Sequence, residues 1–212
     1  MDEPEKYRNE RKEVARFMRR LYRHGLTTTS GGNISRRLDD RLIAITPSAT
    51  DKGRMKWKEV GIMSLTGENL TPHLRPSIEH SMHIKIYNSN KVVNAIIHAH
   101  PVYATSFTAM KHAIDTSLTA EARAICGEPK LVPYALMGTE KLADTAAQHA
   151  RDSDVMLLEN HGVLTTAPTL LQAFDKLEVL ENAAKMTLIV EISGGKSPLS
   201  KSRLTEIDRI FR

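Results

Sequence analysis

Apolar side chains recur along this chain in two rhythms, one of amphipathic helices and one of buried strands, and their alternation predicts an α/β fold. Between residues 5 and 24, Val14, Phe17, Met18, Leu21 and Tyr22 follow the i, i+3, i+4, i+7, i+8 series of a helix, which Gly25 closes. A short strand is expected near Ile34, then a turn at Asp39-Asp40 and a hairpin partner over 41–46 that stops at Pro47. Residues 61–65 read as a further strand, with Trp57 packing just before it. A helix is expected from Pro76-Ser77-Ile78-Glu79 to about Tyr87, with Ser77 as its cap and Glu79 in its first turn, where the helix dipole favours an acid.

The second half repeats the pattern. An apolar strand covers 91–98, and Pro101 starts a helix to about Lys111 that turns Val102, Tyr103, Ser106, Phe107 and Met110 inward. A loop through 118–122, a short strand at 131–134, a helix capped by Thr139 and a buried strand over 154–158 come next. Thr169 then caps a long helix to about Ile192, with Ala173, Phe174, Leu177, Leu180, Ala184 and Leu188 on its apolar face. The Gly194-Gly195 turn leads to a basic tail, 196–212, with a short amphipathic piece at Leu204, Ile207, Ile210 and Phe211. At 212 residues, one domain spanning 1–212 with this tail is the expectation.

Composition narrows the partners only a little. Thirty basic and 25 acidic residues leave a net charge of +5, and the one basic cluster (Arg8, Arg11, Lys12, Arg16, Arg19, Arg20, Arg23) falls on the expected solvent face of the first helix. No second reading element accompanies it, so no nucleic-acid partner is expected. The single cysteine, Cys126, excludes an internal disulfide and fits a reducing cytoplasm. No apolar run approaches the roughly 18 residues of a membrane span, and Met1-Asp2-Glu3-Pro4 has no basic flank before an apolar core, so no membrane association is expected.

Chemistry concentrates where apolar strands end. The run Ala95-Ile96-Ile97-His98-Ala99-His100-Pro101 places two histidines one residue apart, and on a strand they share a face about 7 Å apart at Cα. Such a pair is also what a satisfied surface pair looks like; to hold a divalent ion it needs help, for which Glu79 and His161 are the candidates. His161 follows the strand 154–158 much as His98 ends its own. His80 and His83 are weaker candidates, equally suited to a surface or an inter-subunit contact. Thr27 to Asn33 forms a hydroxyl- and glycine-rich loop in which Gly31 and Gly32 let the backbone turn and expose N–H groups, with Ser30 and Asn33 as side-chain donors, a setting suited to an anion. It is neither a P-loop nor a dinucleotide fingerprint. Ser48 to Gly53 is a second polar loop after a strand end.

Taken in order, Gly32-Asn33-Ile34-Ser35, Ile45-Thr46-Pro47-Ser48, Pro76-Ser77-Ile78-Glu79, His98-Ala99-His100 and Asn160-His161-Gly162-Val163-Leu164 resemble the class II aldolase and adducin head domain family over nearly the whole chain, most closely its L-fuculose-1-phosphate aldolase branch. The resemblance implies a three-layer α/β/α domain around a mainly antiparallel sheet, a homotetramer with active sites near subunit interfaces, and a zinc ion, with manganese or cobalt as alternatives. By position, His98, His100 and His161 match the metal ligands, and Glu79 matches the catalytic acid/base that also ligates the ion when substrate is absent. Gly32, Asn33, Ser48, Ala49, Ser77 and Ile78 match the phosphate pocket. Family members often carry glycine where Ala49 stands and a second serine where Ile78 stands, so the expectation is that backbone N–H groups carry more of the phosphate here or that the site takes a different sugar phosphate.

The implied reaction is cleavage of a ketose 1-phosphate into dihydroxyacetone phosphate and an aldehyde, through an enediolate stabilised by the ion acting as a Lewis acid. The branch uses a tyrosine from a neighbouring subunit at the aldehyde end. The matching stretch here, 119–121, holds none, and Glu121 is the candidate in its place. That substitution keeps a methylthioribulose-1-phosphate dehydratase in view, then a pentose-phosphate 4-epimerase; an adducin-like interaction module is the non-enzymatic alternative.

Overall fold

A computed structural model describes residues 6–110 and 112–211. Its elements run α1 (Arg8–Arg23), β1 (Asn33–Arg37), β2 (Leu42–Ile45), β3 (Gly61–Ser64), α2 (His80–Ser89), β4 (Ala95–Ala99), α3 (Val102–Phe107), α4 (Ala120–Cys126), β5 (Lys130–Val132), α5 (Glu140–His149), β6 (Val155–Leu158), β7 (Gly162–Ala167), α6 (Leu170–Ser193) and α7 (Lys201–Phe211). Seven strands form one sheet in the order β3-β2-β1-β4-β7-β6-β5. Every pair is antiparallel except β5 with β6, so the sheet is mixed and mainly antiparallel.

Helices cover both faces, which is why β2, β6 and the first part of β4 read as apolar runs. Alternate residues of β4 feed two separate cores. Ala95, Ile97 and Ala99 join Val14, Phe17, Ala104 and Phe174 beneath α1, α3, α4 and α6. Ile96 joins Ile86, Tyr87 and Leu142 beneath α2 and α5. The strand face carrying Ile96 also carries His98, so the candidate metal residue points toward the α2 layer. Each fully buried Leu, Ile or Phe of these layers contributes about 1.5–3 kcal/mol.

Several expectations are corrected. No strand is expected between the turn at His161 and the helix at Thr169, yet residues 162–167 form the buried strand β7. Thr165 and Thr166 interrupt its apolar run, and the fold satisfies their hydroxyls on the Ala173 carbonyl (2.8 Å) and Asp154 (3.2 Å). The expected loop at 118–122 becomes a 3-10 turn and then α4, capped by the Thr119 side chain on the Ala122 N–H. Val102, Tyr103 and Met110 are exposed rather than inward, because α3 is short and only Ala104 and Phe107 meet the core. The expected start of the first helix at Glu5 and end of the third at Lys111 lie outside the described residues.

On α1, Tyr22 sits at the rim, and Arg11 is buried rather than solvent-facing. The Arg11 guanidinium donates to the carbonyls of Val60 and Lys58 and lies over the ring of Trp57, which packs as expected. The tail is more than a short amphipathic piece. It folds as α7 and docks on α4 through Arg123, which donates to both carboxylate oxygens of Asp208 at 2.8 and 2.6 Å.

Ala49 adopts φ +52°, the left-handed region in which an alanine Cβ crowds its own backbone. Relief of that strain outweighs the added freedom of glycine in the unfolded chain, so Ala49→Gly is expected to stabilise the fold by about 0.5 kcal/mol. Urea unfolding checks this: the midpoint rises with an unchanged slope, and a fall would show that the Ala49 methyl packs usefully.

Candidate active site

Three elements bring the predicted chemistry together. His98 lies on β4 one residue from its end, and His100 follows where the chain leaves the sheet. His161 sits in the β6–β7 turn, which closes through its N–H to the Leu158 carbonyl at 3.0 Å and places Asn160 at φ +52°, a conformation asparagine tolerates. Glu79 is the N-cap residue of α2, one position before the first-turn site expected for it, with φ −101° and ψ 14°. Ser77 accepts the Glu79 N–H on its hydroxyl at 3.3 Å and so shapes the entry to the helix rather than capping it from within.

The imidazoles converge. Nε2 of His98 and Nε2 of His100 are 3.1 Å apart, and one nitrogen from each of His98, His100 and His161 falls within a 4.8 Å cluster. His98 donates its Nδ1–H to the Val163 carbonyl at 2.9 Å, which fixes the tautomer and leaves Nε2 as a bare lone pair facing the cluster. Burial, reinforced by the neighbouring histidine, pushes His98 down to about 3 and His100 down to about 4. His161 is lowered by burial against the opposing pull of Glu79. All three are therefore neutral imidazoles at ordinary pH, able to act as ligands.

Glu79 closes the cluster from the α2 side. Its Oε2 is 3.3 Å from His98 Nε2 and its Oε1 is 3.3 Å from His161 Nε2. Oε2 also accepts from Asn33 Nδ2 at 2.8 Å. Among the described residues four buried side-chain atoms have no hydrogen-bond partner, and two of them, Glu79 Oε1 and His161 Nδ1, belong to this cluster. An unmet buried polar atom costs about 1–3 kcal/mol, so the unmet Glu79 Oε1 beside bare imidazole nitrogens fits a site built for an ion. Borderline-soft nitrogen donors with one carboxylate suit zinc, and equally its divalent neighbours.

Gly162 stands against this cluster. A Cβ there would meet His100 Cδ2 at 2.5 Å and the Ala99 carbonyl at 2.8 Å. Gly32, at φ +66°, is held equally tightly, since its Cβ would meet the His98 carbonyl at 2.7 Å.

Residues matched to the phosphate pocket fall into two groups. Ser48 and Ser77 are brought together because Pro47 bridges Pro76 and the Ser48 hydroxyl donates to the Pro76 carbonyl at 2.8 Å; Ala49 and Ile78 adjoin them, Ile78 half exposed. Gly32 and Asn33 lie at the start of β1, where Asn33 pairs with His98 in register. The Asn33 side chain faces Glu79 and His83 instead of solvent. His83 is fully buried, so it is neither a surface nor an inter-subunit residue. His80 donates its Nδ1–H locally to the Ser77 carbonyl, 2.8 Å away. Glu121 is exposed in the first turn of α4 and takes no part in the contacts that join the cluster.

A mixed sheet clad on both faces, with neutral imidazoles and a carboxylate meeting at the ends of its central strands, gives a donor set that could hold a divalent metal ion. A family model for the class II aldolase and adducin N-terminal domain matches residues 12–188. The chain belongs to that family. It is 34% identical over 180 residues to the L-fuculose phosphate aldolase of Methanocaldococcus jannaschii, covering 85% of this chain and 96% of that one. It is 32% identical over 173 residues to the 3-oxo-tetronate 4-phosphate decarboxylase of Haemophilus influenzae, covering 79% and 81%. A solved L-fuculose 1-phosphate aldolase superposes with a TM-score of 0.87 at 30% identity, covering 95% of each chain.

Gly162→Ala is expected to lower zinc affinity by roughly 10- to 100-fold, since a neighbour that displaces a ligand ring acts like a lost supporting contact. Competition against a chelating dye measures it; unchanged affinity would mean that His100 is not a ligand. The depressed histidines also set a pH dependence. Ordinary imidazoles begin to take up protons below about 6.5, whereas His98 and His100 stay bare until about 3 and about 4. Zinc affinity is therefore expected to stay within about threefold between pH 7.5 and 5.5, and a fall of several hundredfold would show ordinary histidines competing with protons.

Proposed function

We propose that this chain is a zinc-dependent sugar-phosphate aldolase that cleaves a ketose 1-phosphate, fuculose 1-phosphate or a near relative, into dihydroxyacetone phosphate and an aldehyde. The observation that carries the reading is the buried Glu79 carboxylate set 3.3 Å from both His98 Nε2 and His161 Nε2. His98, His100 and His161 would hold the ion, with Glu79 as a fourth ligand in the resting protein. When bound, the ion supplies a Lewis acid for the negative charge that develops next to the ketone of the substrate.

The other steps belong to the chain. Gly32, Ser48, Ala49, Ser77 and Ile78 seat the phosphate and so fix the distance of the reacting carbons from Glu79, while the Asn33 side chain is turned to Glu79 and His83. In the synthetic direction Glu79 removes the proton from the carbon beside the carbonyl, and in cleavage it returns that proton to the same carbon. Glu121 serves the aldehyde end, from the subunit across an interface, in a homotetramer of cytoplasmic single-domain chains. The binding of manganese or cobalt in place of zinc is compatible with the same donors.

A second reading is decarboxylation, favoured by the Haemophilus influenzae relative and by the absence of a tyrosine over 119–121. Loss of carbon dioxide from a 3-oxo acid 4-phosphate leaves the same enediolate for Glu79 to protonate, with no hydroxyl proton to remove at the far end.

Incubation with fuculose 1-phosphate, ribulose 1-phosphate, methylthioribulose 1-phosphate and 3-oxo-tetronate 4-phosphate separates the readings. Dihydroxyacetone phosphate with an aldehyde from a ketose 1-phosphate is the expected result. Its release only from the oxo acid would establish the decarboxylase, and dehydration of the methylthio sugar without it would establish the dehydratase. Glu79→Gln is expected to lower kcat by about 10²- to 10⁴-fold, the usual share of a general acid/base, with the ion still bound.

A further inference from the structure

Behind Glu79 a continuous line of buried polar groups runs away from the site. Asn33 Nδ2 is 2.8 Å from Glu79 Oε2, Asn33 Oδ1 is 2.6 Å from His83 Nε2, His83 Nδ1 is 2.6 Å from Ser35 Oγ, and Ser35 Oγ is 2.8 Å from Tyr87 Oη. All of these residues are buried. The line exists because two periodicities agree. Glu79, His83 and Tyr87 recur every four residues along α2, about 6 Å of rise, while Asn33 and Ser35 recur every two residues along β1, about 6.7 Å.

The direction of each hydrogen bond is dictated by its ends. Oε2 of Glu79 accepts from Asn33 Nδ2, so the Asn33 amide turns its NH2 to Oε2 and its carbonyl to His83. His83 then donates from Nε2, and its Nδ1 lone pair accepts the Ser35 hydroxyl proton. Ser35 in turn accepts from Tyr87, whose hydroxyl has no other hydrogen bond among the described residues. The reversed line requires a protonated Glu79 and strands the Tyr87 O–H with no acceptor in a dry core, the costlier kind of unmet group. Burial holds His83 neutral, pushed down to about 3, and pushes the Tyr87 hydroxyl upward, so neither end supplies a different polarity.

We infer that His83, Ser35 and Tyr87 are positioning residues that lock the orientation of the Asn33 carboxamide, and thereby give the two oxygens of Glu79 different tasks. Oε2 is the tethered oxygen, occupied by the Asn33 N–H. Oε1, which has no hydrogen-bond partner, is the oxygen that takes the proton from substrate carbon and returns it. This rests on the acid/base role given to Glu79 above. Without the lock the amide can flip, presenting its carbonyl to the carboxylate and repelling it from the reacting carbon.

Two measurements test it. Imidazole nitrogen NMR of the zinc-loaded, ¹⁵N-histidine-labelled protein, with the His83 signals identified by their loss in His83→Phe or their displacement in Ser35→Ala, should show the neutral Nε2–H tautomer between pH 6 and 8. The Nδ1–H tautomer would overturn the chain whatever the enzyme's substrate. Steady-state cleavage, together with exchange of the carbon-bound proton of dihydroxyacetone phosphate into deuterated water, should fall together by roughly 10- to 100-fold in His83→Phe and Ser35→Ala, with KM and bound zinc unchanged. Tyr87→Phe, at the far end, should lose less. Wild-type exchange in either of the first two variants would overturn the inference, and Ser35→Ala, the smaller deletion, decides if His83→Phe does not fold. A wild-type protein that neither cleaves nor exchanges any of the sugar phosphates would instead overturn the aldolase reading, leaving the tautomer to decide the chain.

Discussion

The hydrogen bond from His98 Nδ1 to the Val163 carbonyl is the interaction on which the cluster depends. It crosses from β4 to β7 in the middle of the sheet, so the same backbone pairing that aligns the strands also sets the imidazole tautomer. Only with Nδ1 protonated does Nε2 present a lone pair to its neighbours. A fully buried ring with this one anchor has little freedom to rotate, and the position of His98 then fixes what the less buried His100 and His161 must approach.

The cost of placing such polarity in a core is met almost entirely by pairing. Asn33, Ser35, His83 and Tyr87 each find partners, and the Thr165 and Thr166 hydroxyls of β7 find theirs on the loop and helix beside them. The atoms left unmet within the cluster, Glu79 Oε1 and His161 Nδ1, are adjacent to the chemistry. A fully paired buried network holds its members in place. Two of the four unmet buried side-chain atoms among the described residues lie where an ion or a reacting proton has to go, the others being Thr27 Oγ1 and Thr105 Oγ1.

How much of this is legible in the chain depends on whether polarity interrupts an apolar run or ends one. His98 and His161 stand out because each follows an uninterrupted strand, and Glu79 because it opens a helix beside a proline and a serine. β7 is hidden by its internal threonines, and α4 by a run of alanines too short to show a helical stripe. His83 is visible but easily misplaced: beside two other histidines it suggests a metal ligand or a surface group. The signal that places it is the spacing Glu79, His83, Tyr87 on one helical face against Asn33, Ser35 on one strand face, which requires knowing that α2 lies on β1. Glu121 stands out only by its position in a motif, and a single chain cannot bring it to the cluster because α4 turns it to solvent.

The division of labour between layers has a further consequence. The histidines belong to the sheet and its turns, while Glu79 belongs to α2, so the distance between ion and acid is set by how the helix layer seats on the strands. That seating is a matter of Met82, Ile84 and Ile86 against Leu142, Ala143 and Ala146 of α5 and against Ile96 and Leu164 of the sheet, all remote from the reacting atoms. Close-packed interiors transmit a lost methylene as a shift of neighbouring groups. A change in that layer would alter the Glu79 separations from His98 and His161 without touching either residue, which makes the apolar contact between α2 and α5 part of the acid/base machinery as much as of the core.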